Sequence, residues 1–370
     1  MAIQEAAIDD RDAGVAVAAE TFDTIVIGGG QAGLAVGYYL KRSGRSFVIL
    51  DRNERIGGSW RTRTWSSLRL FTPARYDGLP GWPFPAPGWS YPTAREAADY
   101  LEAYAARFEL PVRTGMTVDR LAKDGDRYIV EAGERRFEAG NVVVATGFYG
   151  TPSVPGFAGE LDPDIVQMHS SAYRDPSQLR PGGALLVGAG NSGADIAIEV
   201  SATNRTWLSG RDKGQVPIRI ESRLARFVLP VLWFVASHVL TVKTPLGRKV
   251  RPHVLASGAP RIRVKTDDLE AAGVERVPKT VGVSDGLPVL EDGRVMNVAN
   301  VIWCTGFRQD FGWIDLPVFA DDEAPMHERG VTSEPGLYFV GLDFLYAFTS
   351  ENIGGVRRDA RHIAKHIASD

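Results

Sequence analysis

Residues 24–33 read TIVIGGGQAG, and residues 185–193 read LLVGAGNSG. In each, a short apolar strand (Thr24–Ile27, Leu185–Val187) enters a glycine loop, and an alanine-rich helical pattern follows. The glycines fall at matching places: Gly28, Gly30 and Gly33, then Gly188, Gly190 and Gly193. In a strand–loop–helix context this spacing is a dinucleotide fingerprint. The first glycine makes the turn, the second admits a pyrophosphate to the backbone, and the third lets helix and strand pack closely. One such loop is weak evidence; two, both correctly framed, imply two dinucleotides side by side and electron transfer between them.

The repeat extends beyond the loops. Val142–Phe148 reads VVVATGF and Val301–Phe307 reads VIWCTGF. The glycine loops lie 160 residues apart and the Thr-Gly pairs 159. A near-constant offset means two copies of one supersecondary plan. The expected fold class is α/β, with two Rossmann-like dinucleotide-binding domains, the second inserted into the first. The expected boundaries are a disordered tail at 1–20, a first domain at 21–152 and 325–370, and a second at 153–324.

A chain of 370 residues suits about two domains. Its composition is that of an ordinary globular protein, 44% hydrophobic and 24% charged, and a net charge of −3 argues against nucleic acid as a partner. Cys304 is the only cysteine, so a disulfide framework, a Cys-based zinc site and a Cys-x-x-Cys pair are excluded within one chain. A cytoplasmic setting fits best. The tail carries Asp9, Asp10, Asp12 and Glu20 without a basic region, unlike a signal peptide. Phe227–Val242 (FVLPVLWFVASHVLTV) is almost wholly apolar between basic flanks, but too short to cross a membrane. It reads either as a buried helix or as a peripheral patch facing lipid or a partner.

Along the chain, Gln31–Arg42 reads as a helix and Ser46–Leu50 as the next strand, ending at Asp51. Asp51 lies 23 residues after Gly28; the residue 23 after Gly188 is Arg211. A carboxylate there accepts from a free ribose, whereas an arginine accommodates a 2′-phosphate. Ser209, Gly210 and Lys213 surround Arg211 with phosphate donors. The first unit is therefore expected to bind FAD and the second NADPH. The segment with Trp65, Phe71, Tyr76, Trp82, Phe84, Trp89 and Tyr91 reads as a packed excursion able to wall a flat ring. Ala94–Phe108 reads as a helix, Met116–Phe137 as a meander turning at Asp124-Gly125, Glu334–Val340 as a returning strand and Asn352–Ile367 as a closing helix.

With these motifs in place, the chain resembles the class B flavoprotein monooxygenases: the flavin-containing monooxygenases and plant YUCCA-type enzymes, in their short bacterial form. The resemblance spans about 22–367 and rests on both glycine loops, Gly57-Gly58-Ser59-Trp60, the Trp65–Pro85 segment and the two Thr-Gly strands. It implies that NADPH reduces FAD, that reduced flavin forms a C4a-hydroperoxide with O₂, and that oxygen enters an amine, a sulfide or a position beside a carbonyl. The partners implied are a small, apolar substrate and O₂; a homodimer is the working expectation. The expected cofactor-binding residues are Gly28, Gly30, Gln31, Ala32, Gly33, Asp51, Arg52, Gly58, Ser59, Trp60, Thr72, Val118, Ala145, Thr146, Gly147 and Gly341, with Gly188, Gly190, Asn191, Ser192, Gly193, Ser209, Arg211, Thr305 and Gly306.

The chain departs from the family pattern in three places, one being a short loop after Gly341. The Phe-x-Gly…His…Tyr signature appears as Phe157-Ala158-Gly159 and His169–Tyr173 with nine residues between them instead of three, leaving His169 as either a domain link or a loop residue. Thr72 occupies roughly the place of the family's asparagine. No catalytic side chain stands out, which fits chemistry carried by a cofactor. The pair His362 and His366 lacks a third ligand, so no metal is expected. A reductase or oxidase without a stabilised hydroperoxide, or a non-catalytic flavoprotein sensor, remain as alternatives.

Overall fold

A computed structural model describes residues 19–147, 150–257 and 260–369. Most of the expected tail, and Phe148 of the first Thr-Gly strand, lie outside the described residues. Glu20, assigned to the tail from sequence, instead opens β1 (Glu20–Ile27) and pairs with Phe137. β1, α1 (Gln31–Arg42) and β2 (Phe47–Leu50) form the first βαβ unit, with β1 and β2 parallel. All four residues of β2 are buried, as a strand covered on both faces requires. Leu34, Ala35, Val36 and Leu40 bury one face of α1.

α2 (Gly58–Thr62) opens the aromatic excursion, which ends at α3 (Ala94–Arg107). Thr93 and Glu96 close a reciprocal capping box at the start of α3, satisfying two orphan amides. Of the seven aromatics from Trp65 to Tyr91, Trp65 and Phe84 are buried in the core, Phe71 is exposed, and Tyr76, Trp82, Trp89 and Tyr91 are half-buried. Trp82 and Phe84 lie against Tyr100, while Tyr104 donates its hydroxyl to the Pro80 carbonyl at 2.6 Å. Trp65 crosses to the second core, beside Tyr173 and Leu186.

After β3 (Val112–Arg113) comes the meander of β4 (Arg120–Asp124), β5 (Arg127–Ala132) and β6 (Arg135–Val144). The β4–β5 turn passes through Gly125 at φ 57°, which favours glycine. β7 (Thr151–Pro152) then leads into the second unit. There β8 (Val166–His169), β9 (Ala184–Val187), α4 (Asn191–Val200) and β10 (Thr206–Ser209) repeat the βαβ plan. α5 (Ala225–Phe234), a π-helical turn at Val235–Val239, α6 (Pro245–Ser257) and α7 (Thr266–Ala271) follow. β11 (Glu275–Val277), the hairpin of β12 (Thr280–Ser284) and β13 (Leu287–Leu290), and β14 (Asn300–Trp303) complete this unit. β15 (Phe307–Arg308) returns antiparallel to β7. β16 (His327–Glu328), β17 (Val331–Thr332), β18 (Leu337–Phe339) and α8 (Arg357–Ser369) rejoin the first unit.

Both sheets share one order. The first runs β3-β2-β1-β6-β18 in parallel and is extended by antiparallel β17 and β16; the second runs β11-β10-β9-β14-β8, parallel throughout. In each, the strand entering the glycine loop lies between the next strand of its βαβ unit and the strand ending in Thr-Gly. The second sheet is inserted between β6 and β18 of the first. The closing helix starts five residues later than its sequence pattern suggests, because Asn352–Val356 forms turns.

The apolar stretch at 227–242 is not buried as a core helix. Leu224 is 63% exposed, Phe227 77%, Val231 60% and Phe234 57%. Their spacing of three, four and three residues places them on one face of the helical segment. Among the described residues no helix is long and apolar enough to cross a membrane.

Candidate dinucleotide sites

The two glycine loops have one geometry. Gly28 sits at φ 111° and Gly188 at φ 116°, where side chains are strained. A Cβ on Gly28 would stand 2.4 Å from the Ala145 carbonyl oxygen; on Gly188 it would stand 2.2 Å from that of Cys304. These are the residues at the ends of the Thr-Gly strands. The repeat therefore pairs a loop with the strand that presses on it. Gly30 and Gly190 face open space, with nothing within 4 Å of their Cβ positions. Each is the N-cap of a helix whose first amides receive no side-chain cap, and neither helix carries an acidic residue in its first turn. Free amides, positive dipole ends and room for close approach suit a pyrophosphate at both loops.

Around the first loop, Asp51 is buried at the end of β2. Its Oδ2 accepts from Gly29 N–H at 2.6 Å and its Oδ1 from Asn53 N–H at 2.8 Å, so the loop fixes the carboxylate while lone pairs remain for a ribose. Arg52 is exposed beside it; Ser59, Trp60 and Val118 are half-buried, and Gly58 packs on Asn53. Ala145 is buried and Thr146 exposed, while Gly147 turns at φ 75°. Gly341 lies over the start of α1, since its Cβ would meet Ala32 Cβ at 2.8 Å. Gln31 reaches the same region and donates to the Glu351 carbonyl at 3.3 Å.

Two acidic features here escaped the sequence reading. Asp343, two residues past Gly341, has a buried Oδ1 with no partner, which fits a hydroxyl-bearing ligand. Burial, then the Asp343 carboxyl beside it, pushes Glu351 well above the usual carboxylate range. The Gly341-x-Asp343 step at a strand end was the available signal. Asp77 is the second. Burial raises its carboxyl to about 7, although Thr72 donates to Oδ1 at 2.6 Å, and Oδ2 is buried without a partner. The Thr72 hydroxyl is thus already committed.

At the second loop three of the expected side chains are already engaged within the protein. Ser209 is fully buried, and its hydroxyl is shared among the Pro278 carbonyl, Thr280 Oγ1 and Thr280 N–H, so it is not offered to a phosphate. The Asn191 amide is spent on the Pro260 carbonyl and Ile262 N–H, anchoring the 260–262 loop. Thr305 donates its hydroxyl to the Ser153 carbonyl. Ser192 stays half-buried on the first turn of α4.

Arg211 and Lys213 are exposed next to Gly210, whose φ of 139° lets the chain lie on Ala189. Two arginines missed by sequence stand behind them. Arg276 donates to the Gly210 carbonyl at 3.3 Å. Arg261 is 1% exposed with Nε and Nη1 unpartnered, and its Nη2 lies 3.4 Å from Asp212. They come from 50 and 65 residues beyond Arg211, so local spacing could not find them. A basic wall with unpaired buried donors fits an added phosphate.

His169 sits at the end of β8. Its Nδ1 accepts from Ser171 N–H at 3.1 Å, which leaves Nε2–H to donate to the Gly306 carbonyl at 2.9 Å. Burial holds it below the ordinary histidine value. It therefore acts as a neutral brace on the turn after β14. Cys304 is pushed up to about 12 by burial and serves as a packing residue, far from thiolate chemistry. No group of three metal-ligating side chains occurs among the described residues.

Residues 25–223 match the family described as pyridine nucleotide-disulphide oxidoreductase. The chain belongs to that family. It lacks a cysteine pair, so the disulphide chemistry in the family's description has no counterpart here. An uncharacterized CzcO-like oxidoreductase of Geobacillus kaustophilus is 38% identical over 93% of this chain and 98% of that protein. The probable indole-3-pyruvate monooxygenase YUCCA3 of Arabidopsis thaliana is 29% identical over 93% and 86%. The solved flavin-containing monooxygenase of Stenotrophomonas maltophilia superposes with a TM-score of 0.76 at 29% identity, covering 95% of this chain and 99% of that one. Within the family the chain is an oxidoreductase of the class B flavin monooxygenase type. The bacillithiol disulfide reductase of Staphylococcus aureus, at 15% identity and TM-score 0.70, shares the fold.

Proposed function

We propose that the protein is an NADPH- and O₂-dependent FAD monooxygenase that inserts one oxygen atom into a small apolar substrate. The observation that carries this is the pair of matched loops with opposite charge beside them, Asp51 at the first and Arg211, Arg261 and Arg276 at the second. Gly28, Gly30, Gly33, Asp51 and Asp343 would hold FAD; Gly188, Gly190, Gly193 and Arg211 would hold NADPH. Bound FAD supplies hydride acceptance and oxygen activation. The chain's residues would hold the dinucleotides at two helix N-termini, whose first amides have no side-chain cap. One NADPH, one proton and one O₂ are consumed, yielding NADP⁺, water and oxygenated product. The test is NADPH consumption by flavin-loaded enzyme across amines, sulfides and ketones, with product mass measured. Arg211→Ala should raise KM for NADPH about tenfold, the loss of one charged hydrogen bond, and leave KM for NADH unchanged. Equal effects on both cofactors would remove the 2′-phosphate argument.

A second reading, an oxidase releasing H₂O₂, draws support from Thr72, whose hydroxyl is already given to Asp77. Stoichiometric H₂O₂ with no oxygenated product from any panel member would favour it.

The exposed face of Leu224, Phe227, Val231 and Phe234 supports peripheral contact with an anionic lipid surface. From residue 222 to 266 the sequence carries no acidic residue, yet it includes Arg223, Arg226, Lys243, Arg248, Lys249 and Arg251. Co-sedimentation with phosphatidylglycerol vesicles, absent with phosphatidylcholine alone and lost in Phe227→Glu, is the expected result. Equal sedimentation with both lipids, or none, would remove this contact.

A further inference from the structure

One cavity belongs to neither glycine loop. It is a half-open cleft of about 790 Å³ beside the C-terminal half of α1, within the size range of small-molecule sites. Its walls come from both units. Tyr39 and Arg42 of α1 face Arg357, Arg358 and Arg361 of α8, and Trp233, Ser237 and His238 of the inserted unit form the roof. The roof residues Ser237 and His238 belong to the π-helical turn, a distortion that often marks functional sites.

Positive charge is concentrated here. Four arginines line the cavity, against one carboxylate, Asp359. That carboxylate is 1% exposed, and Arg329, from outside the lining, approaches it at 3.8 Å. Arg358 is engaged: it donates to the Ser237 carbonyl and meets His238 Nε2 at 3.1 Å. Arg42, Arg357 and Arg361 are exposed; Arg357 Nε donates to the Gly354 carbonyl at 3.0 Å and Arg42 lies over the Tyr38 ring at 5.7 Å, but no ion pair to a carboxylate forms at any of the three among the described residues. All three act on the Tyr39 hydroxyl as nearby charges. Arg357 and Arg361 are also four apart on one helix, where like charges repel. Like charges held together around an aromatic-walled space gain stability from an anion seated among them.

The same cavity spans a seam. Val242 N–H donates to the Tyr346 carbonyl at 2.9 Å and Phe348 N–H to the Leu240 carbonyl at 3.0 Å, tying the inserted unit to the loop before α8. An occupant would touch the π turn and α8 together.

We propose that this cavity binds a small organic anion, with acidic oxygens as carboxylate or phosphate ester on an aromatic or alkyl body. The acidic oxygens meet Arg42, Arg357 and Arg361; the apolar body lies against Tyr39 and Trp233, since the Tyr346 ring already carries Arg329 and Arg358.

Calorimetric titration of the flavin-loaded, full-length protein tests this with four probes: 2-naphthoate, 2-naphthyl phosphate, neutral 2-naphthalenemethanol and inorganic phosphate. At least one naphthyl anion should bind ten or more times tighter than either the alcohol or inorganic phosphate, and which of the two binds better identifies the acidic group. Arg42→Gln with Arg361→Gln should weaken that binding tenfold or more, with flavin content and melting temperature unchanged. Binding of the alcohol at equal strength would reduce the cavity to an apolar cleft. Inorganic phosphate binding equally well would make it an adventitious ion site only. An unchanged affinity in the double variant, or no heat with any probe, would overturn the proposal. Binding is read without turnover, so the result is independent of whether the enzyme oxygenates anything.

Discussion

Gly193 lies directly on the carbonyl of Gly188: a Cβ at 193 would stand 1.9 Å from that oxygen, as one at Gly33 would stand 1.8 Å from the Gly28 carbonyl. Neither contact partner is a flexible side chain that can yield. Gly193→Ala should therefore open the second loop and weaken nicotinamide dinucleotide binding by roughly 10- to 100-fold, the range of an overpacked contact. Flavin content should stay near that of the parent. Gly33→Ala should give the opposite pattern, a pale protein that still binds the nicotinamide dinucleotide. Visible absorbance and a binding titration on each variant check this.

Asp77 makes stability depend on pH in a defined direction. Burial raises its carboxyl from an ordinary 3.8 to about 7, so the folded chain keeps a proton that the unfolded chain releases. Stability contributed at this site is intact below pH 4 and declines as pH rises toward 7, by about 1.4 kcal/mol for each unit of difference. Asp77→Asn removes that decline. Its melting temperature should exceed the parent's at pH 8 and match or fall below it at pH 4; a variant less stable at pH 8 would show that the charged form is favoured.

His169 works in the opposite sense. Its value is held below the ordinary 6.5 by burial, so protonation opposes the folded state. The contribution is fully present above 6.5 and is lost as pH falls from there through the lowered folded-state value. At pH 7.5, His169→Ala should cost about 1–2 kcal/mol, the price of a lost brace on Gly306. Between pH 7.5 and 5 the parent's melting temperature should drop more steeply than the variant's.

Arg276 tests the basic wall independently of Arg211. It stands against the Gly210 carbonyl and is partly screened from solvent. Arg276→Gln should raise KM for NADPH severalfold and leave that for NADH within twofold, as expected for one charged contact to a 2′-phosphate. Initial-rate measurements with the two cofactors decide it.

What could be read from the sequence was what repeats locally. The two loops, α1 from Gln31 to Arg42 and the meander turn at Gly125 follow from spacing within a few residues, and the structure places them as expected. Side-chain direction was not legible. Ser209 and Asn191 have the right chemistry for a phosphate, but Thr280 and Ile262 had claimed them from about 70 residues away. Arg276 and Arg261 come beside Gly210 and Asp212 through tertiary packing alone. The 227–242 stretch teaches a related point: hydropathy marks Phe227 and Val231 as apolar without saying which side of the helix meets the protein.

The ribbon of β7 and β15 brings Thr151 opposite Arg308, so the chain enters and leaves the second sheet at one spot. Everything between is topologically a single long loop hung on the first sheet, and closing such a loop grows only slowly more costly with its length. Two cuts, distant along the sequence but side by side in the fold, would therefore delimit this whole segment and leave the strand order of the host sheet untouched.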